Sequence, residues 1–243
     1  MTLIYAHRGA NTEAAENTRS AFDKALAYPI DGIETDIQLT RDEVAVLWHD
    51  RDLKKLGLPG KRIDDYDYAE LAALDFAAHF PGAAPEGPLR LDDFLTGFRA
   101  RCRLLLEIKN RRWETVARHQ MKVRQTLALA GAADERVLVS SFDPDSLVYA
   151  HRIAPDFPLV LNMEPEHSVN DARRALDAWP FLYGLCVEIS TLDADMMVLL
   201  RGRGKYSAVY TCDTDAEIER ALQLGVDVLI SDVPGKALQM RDA

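Results

Sequence analysis

The chain has 243 residues, 48% hydrophobic and 28% charged, which is apolar material for a full core in one large α/β domain or two small ones and argues against disorder. A formal charge of −10 and a pI near 5.1 argue against a nucleic-acid backbone or an anionic membrane surface as the main partner. An anionic small-molecule substrate then needs a local positive site.

In chain order, the apolar run Leu3–Ala6 reads as a strand ending at His7-Arg8-Gly9, and Asn17 punctuates the start of a helical pattern over Thr18–Tyr28. Gly9 is expected to let the backbone turn and approach a ligand closely. A second strand spans Gly32–Leu39, and a further apolar run, Val44–Trp48, ends at His49-Asp50. From Asp50 to Pro88 the alternation breaks: glycines and prolines recur, with one short helical piece near Tyr68–Phe76. We read about residues 51–88 as an insertion folded over one end of the fold, where it walls or caps a site. Helical patterns at Leu91–Ala100, Thr115–Ala130, Pro144–Ile153, Asn170–Ala178, Asp193–Leu200, Asp215–Leu224 and Pro234–Met240 then alternate with strands. Those strands are Leu104–Ile108, Val137–Ser141, Leu159–Met163, Gly184–Ile189, Ala208–Cys212 and Val228–Ser231. Gly131, Asp143-Pro144 and Gly225 mark helix ends. Eight βα units at this length predict an α/β fold, a closed (β/α)8 TIM barrel forming one domain over 1–243, with an open doubly wound sheet as the alternative.

Strand period places the charges. In Gly32–Leu39 the side chains of Glu34, Asp36 and Gln38 share one face while Ile33, Ile37 and Leu39 share the other, so the carboxylates point into the barrel. Glu107 and Lys109 repeat the pattern near the C-terminal end of Leu104–Ile108, the end where parallel barrels build active sites. Buried carboxylates need a cation. Three of them suit a hard divalent metal, Mg²⁺ or Ca²⁺, and a buried ion-pair network is the alternative.

Of six histidines, His79, His119, His151 and His167 stand without a partner motif and are assigned to surface or packing. His7 and His49 each end an apolar run at the same end as the carboxylates, and read either as a general acid and base or as metal ligands. Arg8 and Lys109 supply the positive site, the guanidinium as a two-pronged phosphate contact and the ammonium as a point charge. No nucleotide-binding glycine loop and no Gly-x-Ser-x-Gly elbow is present. Cys102, Cys186 and Cys212 read as reduced core thiols. The start of the chain lacks a signal-peptide pattern and no apolar run is long enough for a membrane span, which predicts a cytoplasmic protein with no stable membrane anchor.

These residues carry a resemblance. His7-Arg8-Gly9, Glu16-Asn17-Thr18, Glu34-Thr35-Asp36-Ile37, Thr40-Arg41-Asp42, His49-Asp50, the run Pro88 to Leu95, Leu106-Glu107-Ile108-Lys109, Ser140-Ser141-Phe142, and Gly225-Val226-Asp227 with Ser231-Asp232-Val233-Pro234 stand in the order in which they resemble the glycerophosphodiester phosphodiesterases. The resemblance runs from residue 4 to about 236. It implies a (β/α)8 barrel that hydrolyses glycerophosphodiesters to sn-glycerol 3-phosphate and an alcohol with a divalent cation. It further implies Glu34, Asp36 and Glu107 as metal ligands, His7 and His49 as the acid/base pair, and Arg8 and Lys109 as phosphate contacts. Three departures stand out: Asp42-Glu43 where the family has Asp-Gly, Tyr210-Thr211 where it has Trp-Thr, and Asp52 to Gly57 without the usual arginine and threonines. Tyr210 is expected to pack on the glycerol side of the substrate, so substrate preference is expected to differ there. Two other readings stand beside the hydrolase: a phospholipase D-like barrel acting on lysophospholipids, and a barrel that binds an anionic ligand without turning it over.

Overall fold

A computed structural model describes residues 1–243. Nine strands, β1 (Leu3–His7), β2 (Gly32–Leu39), β3 (Ala45–Leu47), β4 (Arg103–Ile108), β5 (Val137–Ser141), β6 (Leu159–Asn162), β7 (Gly184–Glu188), β8 (Tyr206–Tyr210) and β9 (Val228–Ser231), form one sheet. Eight of them run parallel in the order β1-β9-β8-β7-β6-β5-β4-β2, and the β1–β2 pairing closes the ring. The predicted TIM barrel is the observed fold.

The helices are α1 (Arg19–Ala25), α2 (Tyr68–Leu71), α3 (Leu91–Phe98), α4 (Val116–Ala130), α5 (Pro144–Ile153), α6 (Val169–Ala178), α7 (Ala194–Gly202), α8 (Asp215–Leu224) and α9 (Pro234–Asp242). Local chemistry sets their ends. Asp143 accepts from Ser146 N ahead of Pro144, and Gly225 closes α8 in the left-handed region at φ +66°. At α1 the cap is Thr18, accepting from Ala21 N, rather than the expected Asn17, whose side chain is turned inward. None of these helices is long and apolar enough to cross a membrane.

The helices lean their apolar faces on the outward side of the strands, and Ile33, Ile37, Leu104, Leu106, Val139 and Val187 belong to that core. A second, smaller core fills the barrel: Tyr5, Leu105, Leu138, Val160, Cys186, Ala208, Val228 and Ile230. The run before His49 is not a barrel stave. β3 returns antiparallel along the last three residues of β2, so that His49 reaches the mouth from a hairpin. The following segment has its own apolar cluster of Val46, Trp48, Leu53, Ile63, Leu71 and Phe76, with short 3-10 turns at Lys54–Leu56 and Ile63–Asp65.

Candidate active site

Period-two geometry carries each strand from the apolar plug to a polar rim. Two residues beyond Tyr5, Leu105, Leu138, Val160 and Ala208 stand His7, Glu107, Ser140, Asn162 and Tyr210, all at the C-terminal ends of parallel strands. These five, with Arg8, Glu34, His49, Lys109 and Phe142, line a cavity of about 260 Å³. Sequence reasoning named seven of the ten; Ser140, Asn162 and Phe142 were given no role, although the alternation that exposed Glu107 reaches Ser140 and Asn162 equally.

Glu34, Asp36 and Glu107 offer one oxygen each within 4.8 Å of one another, and all three side chains are buried. Lys109 Nζ lies 2.9 Å from Asp36 Oδ1 and contacts Glu107 Oε1, and Arg8 Nε lies 3.1 Å from Asp36 Oδ2. These contacts are coulombic rather than well-directed hydrogen bonds, since Arg8 Nε, Asp36 Oδ1 and Glu107 Oε1 remain without hydrogen-bond partners. Asp36 is held well below the usual carboxylate range: burial pushes it up, but Lys109, Arg8 and His49, with a hydrogen bond from Asn17, outweigh burial. Glu34 goes the other way, raised well above its ordinary value by burial and by the charges of Asp36 and Glu107. Its buried Oε2 has no hydrogen-bond partner, and His7 Nε2 stands 3.8 Å away. A buried carboxylate oxygen in that state fits a hard cation, and these three residues are the set that can hold one. The all-oxygen donor set suits Mg²⁺ or Ca²⁺ chemistry.

Both histidines are braced alike. His7 Nδ1 stands 2.6 Å from Asp232 Oδ1, and His49 Nδ1 stands 2.9 Å from Asp50 Oδ1. A carboxylate on Nδ1 fixes the tautomer and leaves Nε2 for chemistry. Asp232 is itself positioned: its backbone N–H donates to Asp213 Oδ1, and Asn11 Nδ2 bonds both Asp232 Oδ1 and the His7 carbonyl. The His49 hydrogen bond draws Asp50 down to about 2, against burial and with help from Lys55. Gln38 donates to the carbonyls of Trp48 and Asp50 and pins the turn from both sides of His49. His49 also falls in a second acidic group with Glu16 and Asp50, but Lys55 already bridges those two carboxylates.

Backbone strain marks the same place. Arg8, Asn17 and Glu43 are the non-glycine residues in the left-handed region, at φ +56°, +57° and +64°. Arg8 and Asn17 both reach Asp36 Oδ2, and Asn17 also accepts from Thr35 Oγ1. Glu43 occupies the turn position where the resemblance expected glycine, and it keeps the glycine-like conformation. Gly9 makes the expected turn at φ +87°, and a Cβ there would sit 2.6 Å from the backbone of Ala21, so its lack of a side chain also serves close packing on α1. The Tyr210 hydroxyl donates to the Met163 carbonyl at 2.6 Å, and its ring meets Phe142 edge-on at 5.9 Å. The four other histidines lie outside the cavity, with His151 stacked on Phe181 and His167 accepting from Glu164 N. The three cysteines are buried free thiols.

Three converging carboxylates interleaved with an arginine and a lysine, beside two carboxylate-braced histidines at the C-terminal mouth of a parallel barrel, are the parts of a hydrolase for an anionic ester. Residues 7–236 match the glycerophosphoryl diester phosphodiesterase family, and the chain belongs to that family, an enzyme of the phosphoric diester hydrolase class. It is 32% identical to the glycerophosphodiester phosphodiesterase of Bacillus altitudinis, over 100% of this chain and 99% of that one. Among solved structures, a glycerophosphodiester phosphodiesterase from Agrobacterium tumefaciens superposes with a TM-score of 0.76 at 26% identity, covering 96% of this chain and 97% of its own. An Oleispira antarctica phosphodiesterase in complex with the product sn-glycerol-3-phosphate shares the fold with a TM-score of 0.85 at 22% identity, covering 100% and 98%.

Proposed function

We propose that this enzyme hydrolyses glycerophosphodiesters to sn-glycerol 3-phosphate and an alcohol, with Glu34, Asp36 and Glu107 holding a divalent cation, Mg²⁺ or Ca²⁺. The observation that supports it best is the cavity wall itself: two histidines, each braced on Nδ1 by an aspartate, line about 260 Å³ with Glu34, Glu107, Arg8 and Lys109, and Asp36 lies buried against these. When bound, the cation supplies Lewis-acid polarisation of the phosphoryl group and acidifies an attacking hydroxyl.

Arg8 and Lys109 are the phosphate contacts. Each is partly committed to Asp36, so together they orient the phosphoryl group and offset charge that builds on its oxygens. His7 and His49 exchange protons, one taking a proton from the nucleophile and the other giving one to the departing oxygen, with contributions of about 10²–10⁴-fold each. Asp232 and Asp50 hold the two rings in the tautomer that permits this. Tyr210 and Phe142 form the apolar side against which the glycerol carbons pack, through the Tyr210 ring, since its hydroxyl is bonded to Met163. The test is release of glycerol 3-phosphate from glycerophosphocholine by the whole chain with Mg²⁺, with Ca²⁺ and with a chelator. Release that stops with the chelator and returns with metal is expected. Turnover that ignores the chelator removes the metal assignment, and faster turnover of lysophosphatidylcholine than of glycerophosphocholine transfers the enzyme to the lysolipid class.

A further inference from the structure

The active-site cavity adjoins a wider cleft of about 1220 Å³, and the two share His49, Glu107, Lys109 and Phe142. One wall is the segment from His49 to Lys55, the other the β4–α4 connection from Lys109 to Trp113. The second wall is fastened to the first and to the chain that continues from it. Trp113 Nε1 donates to Asp64 Oδ2 at 3.2 Å, the Arg62 guanidinium lies 4.9 Å from the Trp113 ring centre, and Arg111 donates to the His49 carbonyl.

The cleft is richer in cations than the chain as a whole, with six lysines and arginines in its lining against five carboxylates. In a protein of net charge −10, Arg51, Lys54, Arg111 and Arg112 line one cleft, and none of the four has a carboxylate within 4.0 Å. The acidic side chains beside them are mostly committed elsewhere. Asp50 holds His49 and Lys55, Asp52 accepts from the backbone N–H of Lys54 and Gly60, and Asp143 takes Asn110 and Ser146, while Glu164 stands exposed without a side-chain partner. Arg111 is half-buried and its Nε has no hydrogen-bond partner. Burial lowers its pKa against the pull of Asp36 and Glu107, and the neighbouring Arg51 charge lowers it further. Guanidiniums that no carboxylate contacts directly are a receptor for an anion, and their planar forks favour phosphate.

We propose that this cleft receives the alcohol half of the substrate, and that the enzyme prefers diesters whose alcohol carries its own phosphate. The inference rests on the phosphodiesterase reading above. A cavity of about 260 Å³ takes the glycerol and the scissile phosphoryl group between Arg8 and Lys109, and the alcohol leaves through the opening shared with the cleft. A second phosphate on that alcohol meets Arg51, Arg111 and Arg112, and the local positive field draws such substrates to an otherwise repellent protein.

The experiment compares sn-glycero-3-phospho-1-inositol with its 4-phosphate on the whole chain in Mg²⁺, which differ by one phosphate on the same alcohol. The phosphorylated diester is expected to have the higher kcat/KM by roughly tenfold, carried by KM and shrinking as salt is raised, as one charge-assisted contact provides. The Arg51→Gln/Arg112→Gln double variant changes exposed side chains only, leaves Arg111 in place, and is expected to lose most of the preference while turning over glycerophosphoinositol as before. Equal kcat/KM for the two diesters, or a preference undiminished in the double variant, overturns the inference and leaves the phosphodiesterase reading intact. Failure to cleave either diester, with glycerophosphocholine also untouched, overturns that reading and this inference with it.

Discussion

Two layers of the barrel interior lie one side-chain step apart and differ in almost everything. The lower is apolar and closed: Tyr5, Leu105, Leu138, Val160, Cys186, Ala208 and Ile230 fill it, and the Tyr5 ring occupies the space over Gly32, where a Cβ would stand 2.6 Å away. The upper, two residues further along the same strands, holds His7, Glu107, Ser140, Asn162, Glu188, Tyr210 and Asp232, with Glu34 beyond Gly32. In the upper layer Glu34 Oε2, Glu107 Oε1, Ser140 Oγ and Asn162 Oδ1 are all buried without hydrogen-bond partners. The plug supplies stability and blocks water from below, whereas the rim is left unsatisfied so that it can bind. Unsatisfied polar atoms of this kind are costly in a folded state and mark where a ligand completes the structure.

The strongest break of this contrast is at the histidines. His7→Ala and His49→Ala are each expected to lower kcat for glycerophosphocholine by about 10²–10⁴-fold while leaving the plug and the fold intact. The check is kcat alongside the melting temperature. A variant that keeps full activity removes that histidine from the acid/base pair.

A matched pair of substitutions sharpens the comparison, because the layers are expected to respond with opposite signs. In the plug, Leu138→Ala deletes a buried side chain that does not line the cavity and should destabilise the protein by about 2–5 kcal/mol, with kcat per folded molecule little changed. In the rim, Glu34→Gln replaces a buried, unpartnered carboxylate by a neutral amide able to donate to its acidic neighbours. The metal-free protein should gain about 1–3 kcal/mol at neutral pH, while activity falls and the stabilisation expected of wild type on adding Mg²⁺ is lost. The sign follows from the raised Glu34 pKa. Above its ordinary range of about 4.5 the folded, metal-free chain binds a proton that the unfolded chain has released, so ionising Glu34 there costs stability. Denaturant unfolding with a chelator and with Mg²⁺ measures the stabilities and glycerol 3-phosphate release measures the activities, and a Glu34→Gln variant that is less stable without metal contradicts the contrast.

How much of this was legible in the sequence differs between the layers for a physical reason. Strict alternation in Ile33-Glu34-Thr35-Asp36-Ile37 and in Leu106-Glu107-Ile108-Lys109 put the charges on the inward face, and the structure has them there. The eight barrel strands were readable for the same reason, as short apolar runs separated by capped helices. Asp232 was beyond reach as the partner of His7, because 225 residues separate them and only ring closure brings β9 beside β1. The Val44–Trp48 run gave no sign of direction, since an antiparallel return and a parallel stave have the same period. Asn17 read as a helix cap because asparagine usually is one. Its left-handed backbone, which turns the side chain onto Asp36, depends on contacts formed only in the folded barrel.

The smallest expected effect is a slope rather than a step, and it tests whether buried charge belongs to the rim alone. Glu34, Asp36, Glu107 and Lys109 are buried charged residues of the mouth; Lys122, fully buried on α4, lies outside the barrel interior. Its ammonium donates to the Lys109 carbonyl and to Glu114 Oε2 at 2.9 Å, so it secures from behind the backbone that presents Lys109. Burial pulls its pKa from 10.5 down to about 8, although Glu114 opposes the shift. Between those values the unfolded chain holds a proton that the folded chain has released, so wild-type stability rises with pH across that window. Lys122→Met removes that component, and the difference in unfolding free energy between wild type and variant should shift in favour of wild type as pH climbs from about 8 towards 10.5. Parallel pH profiles for the two proteins would mean that Glu114 keeps Lys122 charged throughout, and that the barrel tolerates a buried cation away from its mouth without the penalty that sets Glu34 apart.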